Sequence, residues 1–228
     1  MKKLYFKYET FMLSRYQKKI SHKPTFVFVS TVDMEAFSKD YGQTKQIFIP
    51  CFLPWQDVTS APGKGTYCLY HGNLFISENI KAAEWLIQNV FSKLNFQLLI
   101  AGQNAEVLAD KVAQYPAIKL IESPSDKELS NLIRNAHINV LPSMNNTGVK
   151  LKLLHALFEG RFCITNGAGI AGTGITKSVH IANNAEELIP LIKDLFDKEF
   201  TIEDLQQRQE IKSIYNNEAN AQKLTALL

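Results

Sequence analysis

The feature that most constrains the fold is a regular alternation of strand and helix patterns from Thr66 onward. Short apolar runs, which favour strands, are separated by longer segments whose apolar residues recur every three or four positions, as on one face of a helix. The predicted strands lie at residues 67–70, 97–101, 118–121, 138–141, 161–165 and 179–181. Because strands that alternate with helices form parallel sheets with right-handed crossovers, the sequence predicts an α/β fold: a Rossmann-like parallel sheet with helices on both faces.

Ligands of an open parallel sheet bind outside the carboxyl ends of its strands. This rule places the candidate site in the loops at residues 71–79, 102–104, 122–125, 142–149 and 165–175. Ser123 lies in the third of these loops and is counted as a candidate binding residue. The helix that follows has a clear start, because Ser125 and Glu128 are spaced as a capping box.

The chain before this sheet has a different organisation. Residues 4–20 predict a helix, and residues 26–29 and 46–49 predict two short strands with a brief helix between them. Proline, glycine and small polar residues then accumulate, which is typical of a linker. We therefore divide the chain into residues 1–50, a linker at 51–65, a Rossmann-like domain at 66–200 and C-terminal helices at 201–228.

The net charge of +3 conceals a strongly basic N-terminus. Residues 1–23 carry seven lysine and arginine side chains against the single acidic residue Glu9, with aromatic residues between them. Such a segment suits an anionic membrane surface, and its aromatic spacing also suits a stripe buried against the domain. We favour the buried stripe. Peripheral membrane contact, or a homodimer or partner chain held through residues 4–20, are the alternatives, and no second feature supports binding to nucleic acid.

Cysteine usage and hydropathy indicate a cytoplasmic protein. Cys51, Cys68 and Cys163 are widely spaced and form no C-x-x-C pair, so we expect reduced thiols rather than disulfides or a metal site. No apolar run reaches the ~18 residues that a membrane-spanning helix requires. The N-terminus also lacks the apolar core of a signal peptide.

The segment from Leu141 to Gly160 carries the clearest chemical signal. A buried strand ends in a polar loop, and Gly148 opens a helix predicted at 149–159, whose free amides and positive dipole end face the carboxyl edge of the sheet. Helix N-termini of this kind bind phosphate. One polar stripe of this helix holds Lys152, His155 and Glu159, which fits the lining of a cleft and ordinary surface equally well.

A second glycine-rich segment, Gly167–Gly172, matches the G-x-G-x-x-G spacing of dinucleotide-binding folds. That motif normally follows the first strand of its domain and opens a crossover helix. Here it follows the fifth predicted strand and lies close to the next one. We interpret it as a loop that needs unusual backbone angles rather than as a nicotinamide site.

An ordered series of segments resembles the carboxyl-terminal half of group 1 glycosyltransferases. The segments are YHGNL at 70–74, IAG at 100–102, IRNAHINVLPS at 133–143 and TGVKLKLLHALFEG at 147–160. The resemblance implies the second half of a two-domain GT-B fold, preceded at residues 1–50 by a remnant of the first, acceptor-binding domain. It also implies a retaining, metal-independent enzyme whose donor substrate is a nucleoside-diphosphate sugar, with no further cofactor.

Carried over residue by residue, the resemblance assigns the candidate site. The candidate catalytic residues are Lys152, Thr147 and His71, and Lys152 is expected to stabilise the leaving phosphate. The candidate donor-binding residues are Gly72, Asn73, Gly102, Ser123, Gly148, Val149, Lys150 and His155. Family members commonly have glutamates where this chain has Thr147 and His155, and an arginine where it has Asn73. His71 fits a structural role, bonded to a loop carbonyl, as well as a catalytic one.

Two functions are therefore expected. The first is a donor domain that transfers a hexose, such as mannose or glucose, from a nucleoside-diphosphate sugar to a glycan or lipid-linked acceptor. The second, favoured by the missing glutamates, is a noncatalytic nucleotide-sugar-binding module or a truncated subunit that needs a partner chain. The chain is too short to hold two doubly wound halves, so we expect the acceptor half to come from elsewhere.

Overall fold

The computed structural model describes residues 2–21, 24–42 and 44–227, so that Met1, His22, Lys23, Gln43 and Leu228 lie outside the described residues. The helices and strands follow one another as α1 (Lys2–Ile20), β1 (Phe26–Phe28), α2 (Thr31–Tyr41), β2 (Gln46–Phe48), β3 (Tyr67–His71), α3 (Ser77–Trp85), β4 (Gln97–Gly102), α4 (Ala109–Val112), β5 (Ile118–Glu122), α5 (Asp126–Asn135), β6 (Ile138–Val140), α6 (Leu151–Glu159), β7 (Phe162–Thr165), α7 (Gly167–Ile170), β8 (His180–Ile181), α8 (Ala185–Asp197), α9 (Ile202–Gln207), α10 (Gln209–Ile214) and α11 (Asn217–Thr225).

The main sheet has six parallel strands in the order β5-β4-β3-β6-β7-β8, which confirms the predicted fold class. From β3 the chain moves outward through β4 to β5, then returns to the other side of β3 to form β6. The strand order therefore reverses between β3 and β6. This reversal is the topological switch point, where open α/β sheets form their ligand crevice.

The core lies on both faces of this sheet. The central strands are continuous apolar runs, as expected where a parallel sheet is covered on both sides, and Leu69 and Ile100 are fully buried. Helix α6 packs against α5, while α8 packs against the turn that follows α3. The buried Arg208, between α9 and α10, donates hydrogen bonds to the carbonyls of Leu157 and Arg161 and so fixes the C-terminal helices on α6 and β7.

The predicted helix ends are observed where capping signals were present. The Ser125 hydroxyl accepts from the Glu128 amide, and the Glu128 carboxylate accepts from the Ser125 amide, which completes the predicted capping box. Between β4 and β5 the chain forms a 3-10 turn and the short α4 instead of one longer helix. There the carboxylate of Glu122 binds the amides of Asn104 and Glu106 and holds them outside a regular helix. All three cysteines are unpaired thiols, as predicted.

Helix α1 corrects the prediction of a buried aromatic stripe. Its apolar side chains are exposed along the whole helix, from Leu4 at 77% to Tyr16 at 60%. The Tyr41 hydroxyl donates to the Gln17 side chain near the C-terminal end of α1. Because β1 and β2 form only a two-stranded parallel sheet, this unit offers too little surface to cover such a helix. Within the described residues, no helix is long and apolar enough to cross a membrane.

Candidate functional site

The candidate site lies at the carboxyl edge of the sheet, around the switch point between β3 and β6. A hollow of about 220 Å³ opens along this edge on the side of β3 that faces β4 and β5. Four predicted residues line this hollow together: His71, Gly72, Asn73 and Gly102. The remaining lining comes from Ala101, Gln103, Pro124, Asp126 and Leu129. The loops after three neighbouring strands and the start of α5 thus form one concave surface.

A close backbone approach shapes the floor of this hollow. Gly102 has φ +156°, and a Cβ atom there would lie 1.9 Å from the carbonyl oxygen of Gly72. Only glycine fits so near another backbone carbonyl. The two predicted glycines therefore act as a pair that brings the loops after β3 and β4 together.

Lys152 reaches across the switch point from α6 to β3 and α3. Its ammonium donates to the Tyr70 hydroxyl at 3.1 Å and to the Asn79 side-chain oxygen at 3.0 Å, and it lies 4.6 Å from the centre of the Tyr70 ring. The polar stripe of α6 is thus directed into the cleft rather than toward open solvent. Sequence reasoning identified Lys152 but not these two partners.

The ammonium of Lys152 has no acidic partner in the described part of the chain, where no carboxylate lies within 4 Å of it. Burial, and the nearby charge of Lys150, lower the pKa of Lys152 to about 8. A half-buried cation held only by neutral groups is costly unless a ligand supplies the missing charge. The arrangement is suited to an anion.

His71 lies below the same crevice. Its side chain is buried, and its Nε2 atom has no hydrogen-bond partner among the described residues. Burial, together with the charges of Lys152 and His155, lowers the pKa of His71 to about 3. The imidazole is therefore neutral near pH 7, with one unsatisfied nitrogen available to a polar ligand group.

His155 is held from two directions. The ring of Trp55, from the linker, stacks on it at 4.2 Å between centroids and 18° between planes. Its Nε2 atom lies 3.3 Å from a carboxylate oxygen of the buried Glu159, which also pairs with Arg134 at 3.4 Å. Burial lowers the pKa of His155, while Glu159 partly opposes that shift.

The turn before α6 differs from the prediction. The helix begins at Leu151, not at residue 149, because Lys150 is extended and serves as its N-cap. Gly148 lies ahead of the helix with φ +65°, and its amide donates to the Asp33 carboxylate at 3.1 Å. The amide expected to receive phosphate therefore binds an anion that this chain itself supplies from the first turn of α2.

The other predicted residues lie around this turn or at the rim. Thr147 is exposed, and Lys150 donates to the Thr147 carbonyl and the Asn145 side chain. Val149 packs against the core. The Asn73 side chain accepts from the Phe75 amide within its own loop. Ser123 is exposed, bonded to Glu122, and does not line the hollow, although the neighbouring Pro124 does.

The glycine-rich segment has a structural role. Residues Gly167–Ile170 form the short helix α7, capped by the side chain of Asn166. Gly172 packs against Ser30, the N-cap of α2, since a Cβ at Gly172 would lie 2.4 Å from the Ser30 hydroxyl. Through this contact the segment packs against the N-terminal part of the chain, residues 1–50. It does not begin a crossover helix.

Comparison with known proteins decides the family. A model of "Glycosyl transferases group 1" matches residues 65–198, more than half of the chain. The chain belongs to this family. An uncharacterized 44.6 kDa protein in the cps region of Klebsiella pneumoniae is 28% identical over 203 residues, which are 82% of this chain and 49% of that protein.

Several solved structures share the fold of this chain. A sucrose-phosphate synthase from Thermosynechococcus elongatus superposes with TM-score 0.74 at 17% identity, over 94% of this chain and 60% of that one. S. aureus TarM superposes with TM-score 0.72 at 13% identity, over 93% of this chain and 45% of that one. Anabaena HepE in complex with UDP-glucose superposes with TM-score 0.67 at 13% identity, over 93% of this chain and 67% of that one. The glycosyltransferase chain thus has the predicted Rossmann-like, carboxyl-terminal half of a GT-B fold, and it spans about half the length of its Klebsiella relative.

Proposed function

We propose that this chain is the donor-binding half of a retaining, metal-independent glycosyltransferase that transfers a hexose from a nucleoside-diphosphate sugar to a glycan or lipid-linked acceptor. The observation that carries the proposal is the Lys152 ammonium, which the neutral oxygens of Tyr70 and Asn79 hold at the switch point. Asn79 in turn packs against Gly72, which lines the hollow. S. aureus TarM forms a complex with UDP and Anabaena HepE one with UDP-glucose, which supports a uridine nucleotide as the first donor to test.

Cleavage of the bond between sugar and diphosphate develops negative charge on the leaving phosphate. Lys152 and the Gly148 amide would stabilise this charge, since preorganised donors act most strongly in a site that excludes water. The free nitrogen of His71 would bond a polar group of the donor. His155 would bond a ribose hydroxyl, with the nucleoside in the hollow beside β3 and β4.

Retention and metal independence follow the family resemblance. Thr147 and His155 stand where carboxylates are common, which favours attack on the face from which the phosphate departs, with that phosphate accepting the proton of the acceptor. Lys152 supplies positive charge that a metal would otherwise provide. In residues 2–21, 24–42 and 44–227, no group of three or more His, Cys, Asp or Glu side chains is arranged to hold a metal ion.

Titration calorimetry with UDP, GDP and UDP-glucose tests the proposal. Lys152→Met keeps the apolar stem and removes the charge. A hydrogen bond to a charged group contributes about 1.5 to 3 kcal/mol, so we expect UDP affinity to fall at least about tenfold. Lys193→Met, at an exposed position on α8, is the matched control. Equal UDP binding by Lys152→Met and the unchanged protein would overturn the proposal.

A noncatalytic nucleotide-sugar-binding module is the second candidate. The exposed Thr147, where family members commonly have a glutamate, and the Asp33 carboxylate on the Gly148 amide favour it. Both candidates bind UDP-glucose, but only an enzyme releases UDP from it. A coupled assay for released UDP, with and without an added acceptor, separates the two.

A further inference from the structure

Asn79, in the first turn of α3, lies where the two loops of the site meet. Its side-chain oxygen accepts from Lys152 at 3.0 Å, and its side-chain nitrogen donates to the Asn73 carbonyl at 2.8 Å. One amide group thus ties α6 to the loop after β3. No motif in the sequence singled out this residue.

Tyr70 completes a closed set of hydrogen bonds with Lys152 and Asn79. Its hydroxyl accepts from Lys152 at 3.1 Å and donates to the backbone carbonyl of Asn79 at 2.9 Å. The Asn79 amide also packs against Gly72, where an added Cβ would lie 3.3 Å from its Cγ atom. Because Gly72 lines the hollow, the amide that holds the lysine borders the space proposed for the donor.

The partners of Lys152 share one property, which is that they carry no charge. An ammonium has three N–H groups, and neutral oxygens of Tyr70 and Asn79 accept two of them. The charge of Lys150 helps to lower the pKa of Lys152, and the charge of Lys152 helps to lower the pKa of His71. Glu78, the carboxylate next to Asn79 in sequence, is exposed and accepts a hydrogen bond from the Ser77 hydroxyl instead of from Lys152. The neutral amide of Asn79 therefore holds this ammonium without neutralising it.

We propose that Asn79 is a positioning residue that fixes the Lys152 ammonium beside the donor pocket and leaves its charge uncompensated for the diphosphate. The inference rests on the proposed function and deepens it, because it explains how an uncompensated lysine is held in place. An aspartate of the same shape would keep the contact and supply the anion that the ligand otherwise supplies. The neutrality of residue 79 thus sets the preference of the site for anionic ligands.

The test compares Asn79→Asp with Gln88→Glu, which adds the same charge at an exposed position following α3. Calorimetry measures UDP affinity, and NMR of labelled lysine side chains measures the pKa of Lys152 without ligand. We expect Asn79→Asp to weaken UDP binding about tenfold or more, because a charge is added within a few ångströms of the ligand. We also expect the pKa of Lys152 to rise by about one pH unit or more, because a charged partner favours its protonated form.

Each outcome has a distinct meaning. If the unchanged protein binds neither UDP nor GDP, the proposed function fails, whereas the NMR measurement still tests the pairing of Asn79 with Lys152. If Asn79→Asp binds UDP normally, or if the pKa of Lys152 does not move, the inference is overturned. Should Asn79→Asp not fold, Asn79→Ala replaces it: we expect a severalfold loss of UDP affinity, and an unchanged affinity would equally refute the positioning role.

Discussion

The carboxylate of Asp33 accepts a hydrogen bond from the amide of Gly148. The diphosphate of the proposed donor would have to displace this carboxylate to bind the same amide. Asp33→Asn keeps a side-chain oxygen for this amide but removes the charge. The observed bond is 3.1 Å long and lies in a half-buried position. We therefore expect Asp33→Asn to bind UDP more tightly than the unchanged protein.

The size of the gain can be worked out from the contact. A hydrogen bond to a charged group contributes about 1 kcal/mol more than one between neutral groups. Relief of repulsion between the carboxylate and the diphosphate adds about 1 kcal/mol if the two charges are ~4 Å apart in a water-like medium. Together these contributions predict a gain of about 1 to 2 kcal/mol, or roughly five- to thirtyfold in affinity.

Calorimetry with UDP at low and high salt measures this gain. Glu35→Gln is the matched control, because it removes the same charge from an exposed position on the same helix. The gain should shrink at high salt, since the repulsive part is screened. If Asp33→Asn binds UDP no more tightly than the Glu35→Gln control, Asp33 does not compete with the ligand and the reasoning is wrong.

Three further predictions concern stability. Burial lowers the pKa of Lys152 from 10.5 to about 8 in the folded protein. Between about pH 8 and pH 10.5 the unfolded chain therefore binds more protons than the folded one, so the free energy of unfolding should rise with pH across that range. Lys152→Met should abolish that rise and, in chemical denaturation at pH 7, increase stability by about 1 to 3 kcal/mol; a loss of stability would contradict it. Gly102→Ala should lower the melting temperature sharply or prevent folding, because its methyl group meets the Gly72 carbonyl at 1.9 Å; a normal melting curve would show that the loops can separate freely. Replacing the exposed Tyr5 and Phe11 of α1 with serine should change the free energy of unfolding by less than about 0.5 kcal/mol, and a larger loss would indicate that α1 is packed.

Much of the fold was predictable because its signals are local. Strand and helix periodicity predicted the six-stranded parallel sheet, and spacing alone predicted the capping box at Ser125. The α1 prediction was wrong because an aromatic stripe shows that a helix has an apolar face, not that a surface is present to cover it. The start of α6 was misplaced by two residues because Lys150, which is not a favoured capping residue, serves as the N-cap.

The site was predictable only in part, because its contacts join distant residues. The resemblance identified Lys152 and His71, and the edge of a parallel sheet is a general place for ligands. Asn79 is 73 positions from its partner Lys152, and Asp33 is 115 positions from Gly148. Asparagine and aspartate in the first turn of a helix are ordinary in any sequence, so only the folded chain distinguishes these two.

The stack of Trp55 on His155 connects the linker to the interior of the crevice. A movement of the linker that separated the indole from the imidazole would change how far His155 is shielded from water. The chain has two tryptophans, so replacing Trp85 with phenylalanine would leave Trp55 as the sole indole fluorophore. Its emission would then follow, in real time, whether the two parts of the polypeptide turn relative to one another as a nucleotide enters.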